Sequence, residues 1–281
     1  MKVLFALLLS FTNWYYIPSN SSVPVEVEKI DLNLKTNELA VTFLSLSNGE
    51  SILIQHSNGE NILINTGGSG TEEELRKLFE LYNVNKISTV ILTNVAANSE
   101  NLSWVLQNYD VKQMIAGGST IKHFETFLNK DEDVSYHIWS SGTKQQILPG
   151  LNTEVLFEGN GENEGMDLSI QFLRHRLLIM TSSSDRAMTK LLTQQLADVN
   201  IVKIADFARE NVITDELIKH IDPQIAIVFH SKIVKPSSDL FKSLQAAWID
   251  VYYTKKHGTV TMKFTDVNYE VITISNNGEL N

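Results

Sequence analysis

The chain contains no cysteine. That excludes disulfides, thiolate-held zinc and catalytic thiols, and it excludes a lipid-bearing amino-terminal cysteine. Basic residues are scarce too: 23 Lys and Arg stand against 33 Asp and Glu, a formal net charge of −10. Such a chain repels phosphate backbones, so direct nucleic-acid binding is not expected, and basic residues cluster no further than pairs such as Lys255-Lys256. Histidine is sparse and scattered. The seven stand at 56, 123, 137, 175, 220, 230 and 257, and none forms H-x-H, H-x-x-H or H-x-x-x-H. Metal ligands usually arrive with at least one short-spaced pair, so any metal here would be held by distant singles.

What is present is an ordinary globular interior: 43% of the 281 residues are hydrophobic, enough for a sizeable core. The amino terminus differs from the rest. Lys2 precedes the apolar run "VLFALLLSF", then "TNWYYIP" and polar "SNSS" at 19–22. This order matches the charged, apolar and polar regions of an export signal. The run is short for a spanning helix, which needs about 20 residues, although Trp14, Tyr15 and Tyr16 could extend it into an interfacial anchor. We therefore expect a signal peptide or short anchor over 1–21, a linker over 22–38, one domain over 39–281, and an extracytoplasmic location. Contact with a membrane is expected only through the amino-terminal segment, and a buried amino-terminal strand is the competing reading.

From residue 39 the pattern alternates between strands and helices. "LAVTFLSL", "SILIQHS" and "ENILINT" read as strands, the last two joined by Asn58-Gly59, a pair that tolerates the positive φ of a tight hairpin. "TEEELRKLFELY" carries Leu75, Leu78, Phe79 and Tyr82 at helical spacing, with Thr71 as N-cap and Glu74 completing a capping box. A strand over 89–93, a polar loop and a helix through Leu102, Val105 and Leu106 follow. Val111–Ala116 reads as a strand, "STIKHFETFL" as a helix, and 136–157 as short strands. "SIQFLRHRLLIMTS" reads as a hairpin turning near His175, with a helix at about 187–196 after it. Then come strand "NIVKIA", helix "TDELIKHI", strand "QIAIVFH", helix "SSDLFKSLQAA" and strands "DVYYT", "TVTMKF" and "YEVITIS". The alternation predicts an α/β sandwich. No short-period repeat is present, but the two halves share an element order.

The order of segments also resembles a family. "VTFLSLSNGESILIQHSNGENILINTGG" is similar to the opening of metallo-β-lactamase-fold domains of the ComEC competence type, with Asn48-Gly49-Glu50 standing for Q-G-D and Ile64–Gly68 for I-D-G-G-G. "DLSIQFLRHRLLIMTSSSD" resembles S-L-V-L-R-L…F-L-F-T-G-D, "ADVNIVKIADFAREN" resembles A-D-V-L-K-V-G-H-H-G-S, and "VYYTKKHGTVTMKF" resembles V-Y-R-T…H-G-A-I-T-V. The resemblance spans about 39–275 and implies an αββα sandwich. In the family, H-x-[HD]-x-D-H at a strand tip, the aspartate of T-G-D and a histidine of G-H-H-G hold two divalent metals that lower the pKa of a bridging water.

Here "TNVAANSENL" falls on the ligand loop. The ligand positions map to Asn94, Ala96, Asn98 and Ser99, the T-G-D aspartate to Ser183, and the histidine pair to Asp206-Phe207. No ligand keeps its identity, and only Asp206 could ligate at all. Amides and alanine do not hold divalent ions against water. The resemblance therefore implies a vestigial site, no cofactor, and a non-catalytic binding or scaffold role toward a protein or small-molecule ligand. The competing class is a hydrolase of a phosphodiester or similar ester with an unrecognised site. Ser182, Ser183, Ser184 and Asp185 lack a G-x-S-x-G elbow and a nearby histidine, which argues against serine hydrolysis. Thr66–Gly70 lacks the lysine of a phosphate loop and reads as a turn. Asn94, Asn98, Ser99 and Glu100 either line a pocket or form a solvated helix-capping loop. His230 ends a strand and His257 falls in a hairpin, so capping or turn roles are expected for both.

Overall fold

The computed structural model describes residues 29–95, 99–128 and 134–275. The expected leader, Ala96 and Asn98 lie outside the described residues. The first half carries β1 (Leu39–Phe43), β2 (Ile52–His56), β3 (Asn61–Ile64), α1 (Glu72–Leu81), β4 (Thr89–Leu92), α2 (Ser99–Asn108), β5 (Gln113–Ala116), α3 (Gly118–Leu128) and β6 (Ser135–Ile138). The second carries β7 (Lys144–Leu148), β8 (Leu151–Glu158), β9 (Met166–Phe172), β10 (His175–Ile179), α4 (Asp185–Leu192), β11 (Ile201–Lys203), α5 (Asp215–Ile221), β12 (Ile225–Val228), α6 (Ser238–Ala246), β13 (Asp250–Tyr253), α7 (Thr254–His257), β14 (Thr259–Phe264) and β15 (Tyr269–Ile274).

These strands form two sheets, ordered β15-β14-β1-β2-β3-β4-β5-β6 and β13-β12-β11-β10-β9-β8-β7. The period of two along each strand builds three apolar layers. Leu39, Val41, Ile52, Ile54, Ile62, Ile64 and Ile91 of the first sheet face Leu168, Ile170, Leu177, Ile179, Ile201 and Ile225 of the second. The alternate residues point outward: Leu53, Leu63, Val90 and Leu92 toward Leu75, Phe79 and Leu102 of α1 and α2, and Leu178, Val202, Ala226 and Val228 toward Leu191, Leu217 and Leu244 of α4 to α6. Strands buried on both faces read as continuous apolar runs, as "ILI" of β3 and "IAIV" of β12 do. The result is the expected αββα sandwich.

Local details refine the expectations. The β2–β3 hairpin turns at Gly59, φ +85°, while the β9–β10 turn is Leu173-Arg174 rather than a glycine pair, with Leu173 at φ +54°. Thr71 precedes α1, but the capping box does not form. Thr71 Oγ1 instead donates to Gly68 O at 2.8 Å and accepts from Asn101 Nδ2 at 2.9 Å, and Glu74 accepts from Ser47 N at 2.6 Å. Tertiary partners outcompete the local ones. Helix α4 starts at Asp185, two residues earlier than expected, because Ser184 caps it by accepting from Ala187 N. The stretch read as a linker is described from Lys29. There Ile30 N donates to Leu81 O at 2.7 Å, Ile30 and Leu32 pack on the α1–α2 layer, and Lys263 donates to Leu32 O at 3.0 Å. His257 Nδ1 accepts from Tyr253 N at 3.0 Å, the turn role expected of it, and the His230 imidazole lies 3.3 Å from the Tyr253 hydroxyl.

Two loops meet so closely that only glycine fits. Gly67 N and Gly68 N donate to Glu50 O and Asn48 O, each at 3.0 Å. Gly49 lies between, at φ +75°, where a Cβ would stand 2.2 Å from Gly68 N. Gly59 has the same sign of φ but nothing within 4 Å. Gly49→Ala should therefore destabilise by more than about 2 kcal/mol and Gly59→Ala by about 1 kcal/mol, a ranking that chemical denaturation of the two variants will check.

Candidate functional site

The carboxyl ends of β3, β4, β10 and β11 converge on one cavity of about 400 Å³. Three sequence-predicted positions, Asn94, Ser183 and Asp206, line it together. Segments far apart in the chain are brought to one mouth because the strands bearing them end on the same edge of the sandwich. Ala96 and Asn98 lie outside the described residues, and Ser99 begins α2.

Hydrogen bonds from both sheets hold the rim. Asn65, at φ +58°, accepts from Thr93 N at 2.9 Å and donates Nδ2 to Thr93 Oγ1 at 2.9 Å. Thr93 O in turn accepts from Met166 N of the second sheet at 2.7 Å. Glu164, which sequence reasoning did not single out, folds the loop over 161–164 by accepting from Gly161 N at 2.8 Å, Ser184 Oγ at 2.8 Å and Arg186 Nε at 2.9 Å. These donors, Arg186 foremost, lower its pKa to about 2. Ser183 N is held by Asn163 O at 2.9 Å.

The base of the site is ionic. Lys203 closes β11, and the strand period turns it inward, behind Ile201, into the layer between the sheets. It is 1% exposed. Its ammonium donates to Glu50 Oε2 of the β1–β2 loop and to Met180 O at 3.0 Å, and it lies 5.7 Å from the centre of the Phe229 ring. Burial pushes the Glu50 carboxyl up against the pull of Lys203, and nearby Asp206 adds to the rise. Asp206 is itself paired with Arg209. It sits in a left-handed turn: Asp206, Phe207 and Ala208 have φ of +48°, +55° and +57°. Left-handed residues normally occur singly and cost about 1–2 kcal/mol each, so the packing around the turn sustains strain where Asp206 and Phe207 meet the cavity. The sequence signal for this ionic base is a lysine inside the apolar strand "NIVKIA".

This donor set does not fit the family's metal pair. Among the described residues, no group of three or more His, Cys, Asp or Glu side chains could hold an ion. The mapped positions on the cavity offer an amide, a hydroxyl and a carboxylate already engaged by Arg209.

Behind the rim, Asp167 is fully buried. Its Oδ1 accepts from Thr181 N at 2.6 Å and Ser182 N at 2.8 Å, while Oδ2 has no hydrogen-bond partner. Burial outweighs those bonds and raises its pKa to about 7. An unfolded aspartate ionises near pH 3.9, so between about pH 4 and pH 7 the folded chain holds a proton that the unfolded chain releases. Stability from this group is complete below pH 4 and falls as pH rises to 7, by up to about 4 kcal/mol. Asp167→Asn keeps the acceptor and removes the ionisation. It should raise the melting temperature at pH 8 and change it little at pH 4, as thermal denaturation at the two pH values will show.

No protein-family model matches the sequence, and no curated protein sequence matches it. Solved structures do match. A diphosphatase of the PhnP family is similar at 14% identity and a TM-score of 0.55, over 81% of this chain and 97% of that one. The metallo-β-lactamase fold protein YhfI from Bacillus subtilis is similar at 13% identity and a TM-score of 0.58, over 79% and 98%. The long form of RNase Z from yeast is similar at 10% identity and a TM-score of 0.55, over 86% and 50%. At these identities the likeness is one of architecture, and the architecture of this chain is the metallo-β-lactamase fold.

Proposed function

We propose that this chain is a non-catalytic metallo-β-lactamase-fold protein, related to the ComEC-type domain, that binds a ligand or partner at the edge where its relatives keep metal. The observation that carries this reading is how the cavity carboxylates are neutralised. In a di-metal centre, clustered carboxylates are neutralised by the ions they ligate. Here Glu50 is neutralised by Lys203, Glu164 by Arg186 and Asp206 by Arg209. Three of the four carboxylates on the cavity are thus paired within the chain, and Asn94, Ser183 and the sequence positions Ala96, Asn98 and Ser99 add no carboxylate or imidazole to them.

The second reading, a metal-dependent hydrolase of a phosphodiester or similar ester, draws on the diphosphatase and RNase Z among the structural neighbours. Metal analysis and a phosphodiesterase assay with added manganese separate the two. We expect substoichiometric metal and no turnover in the wild type. About two zinc or manganese ions per chain, or turnover that vanishes in Asp206→Ala, would establish a working metal centre and overturn the pseudoenzyme reading.

We also propose that Lys2 and the apolar run to Phe11 direct export. Fractionation of cells producing the full chain and a version lacking residues 1–21 should place the first outside the cytoplasm and retain the second. Cytoplasmic retention of both removes the extracytoplasmic reading.

A further inference from the structure

Among the described residues, four carboxylates, Glu50, Glu162, Glu164 and Asp206, line the cavity, and no Lys or Arg does. The cations that pair Glu50, Glu164 and Asp206 lie elsewhere. Arg186 and Arg209 reach into solvent, 63% and 42% exposed, and Lys203 lies buried behind Glu50 on Oε2 alone. Glu50 Oε1 and Thr181 Oγ1 are buried without a hydrogen-bond partner, and both residues line the cavity. Thr181 is only 9% exposed, so this acceptor is built into the wall. A buried acceptor left unmatched is costly, and a donor from a ligand would relieve it. The N-terminus of α4, which would otherwise draw an anion, is already occupied by Ser184 and the Glu164 carboxylate bonded to it. Val95 and Phe207 supply an apolar and aromatic wall suited to the body of a cation. A volume of about 400 Å³ suits a small molecule.

We propose that this cavity binds a small organic cation, an ammonium or guanidinium group on a short apolar or aromatic body. The charged head would donate to Glu50 Oε1, Thr181 Oγ1 and the Asp206 carboxylate, and the body would lie against Phe207. The inference rests on the reading that the site holds no metal, and it reverses the charge preference of a phosphodiester site.

The test titrates the full chain at low salt with benzylamine, benzyl alcohol and benzyl phosphate, using calorimetry and amide chemical shifts, with metal content measured on the same sample. Benzylamine should bind saturably at millimolar concentration, shift the amides around Asn94, Thr181 and Phe207, and weaken as salt is raised. Benzyl alcohol should bind at least about tenfold more weakly, a difference of about 1.4 kcal/mol, and benzyl phosphate not at all. Asp206→Asn should weaken benzylamine by about tenfold. Should that variant fail to fold without its Arg209 partner, Thr181→Val removes the unmatched hydroxyl and should also weaken the amine. The proposal is overturned by any of three results: no benzylamine binding, alcohol or phosphate binding as tight as the amine, or amine binding unchanged in the folded variant. Metal-free protein that ignores benzylamine sinks this inference and leaves the non-catalytic reading standing, whereas stoichiometric metal sinks that reading first.

Discussion

The Lys203–Glu50 pair joins the two sheets at the one edge where their loops gather. Lys203 ends β11 in the second sheet and Glu50 precedes β2 of the first, so this buried ion pair spans the interlayer. Removing one partner of such a pair costs about 3–5 kcal/mol, because the other charge stays buried. The bond to Met180 O and the Phe229 ring complete the surroundings of the ammonium. The cavity lies directly above, so its shape and charge inherit the position of this pair.

The rim depends on a second constraint, the contact of backbone with backbone. Gly67 and Gly68 donate their amides to the carbonyls of Glu50 and Asn48, at a distance that admits no side chain at Gly49. Gly165 plays the matching part in the second sheet, where a Cβ would stand 2.5 Å from Thr93 O. These approaches place Asn65, Asn94 and Thr181 around one space. They fix the geometry of the site through the backbone itself, and a site so held is preorganised.

Much of the fold was legible because burial on both faces leaves a direct trace. Runs such as "ENILINT" and "QIAIVFH" can only be strands in a covered sheet, and Asn58-Gly59 marks its hairpin. The capping box at Thr71 and Glu74 misled because the same side chains found tertiary partners, Gly68 O, Asn101 and Ser47 N. Of the site, Asn94, Ser183 and Asp206 came from order along the chain. Glu164 gave no such signal, since a glutamate in a polar loop is ordinary in sequence.

By itself the sequence determined the layers, the absence of thiol chemistry, the acidic balance and the identities at the mapped ligand positions, all of which are local or compositional properties. Only the tertiary structure decided which charges meet. That Lys203 faces Glu50, that Asp206 faces Arg209 while its neighbours turn left-handed, and that Asp167 is sealed beneath Thr181 and Ser182 follow from strand register and sheet stacking. Electrostatic character depends on distance and burial in three dimensions, and those quantities do not exist along the chain.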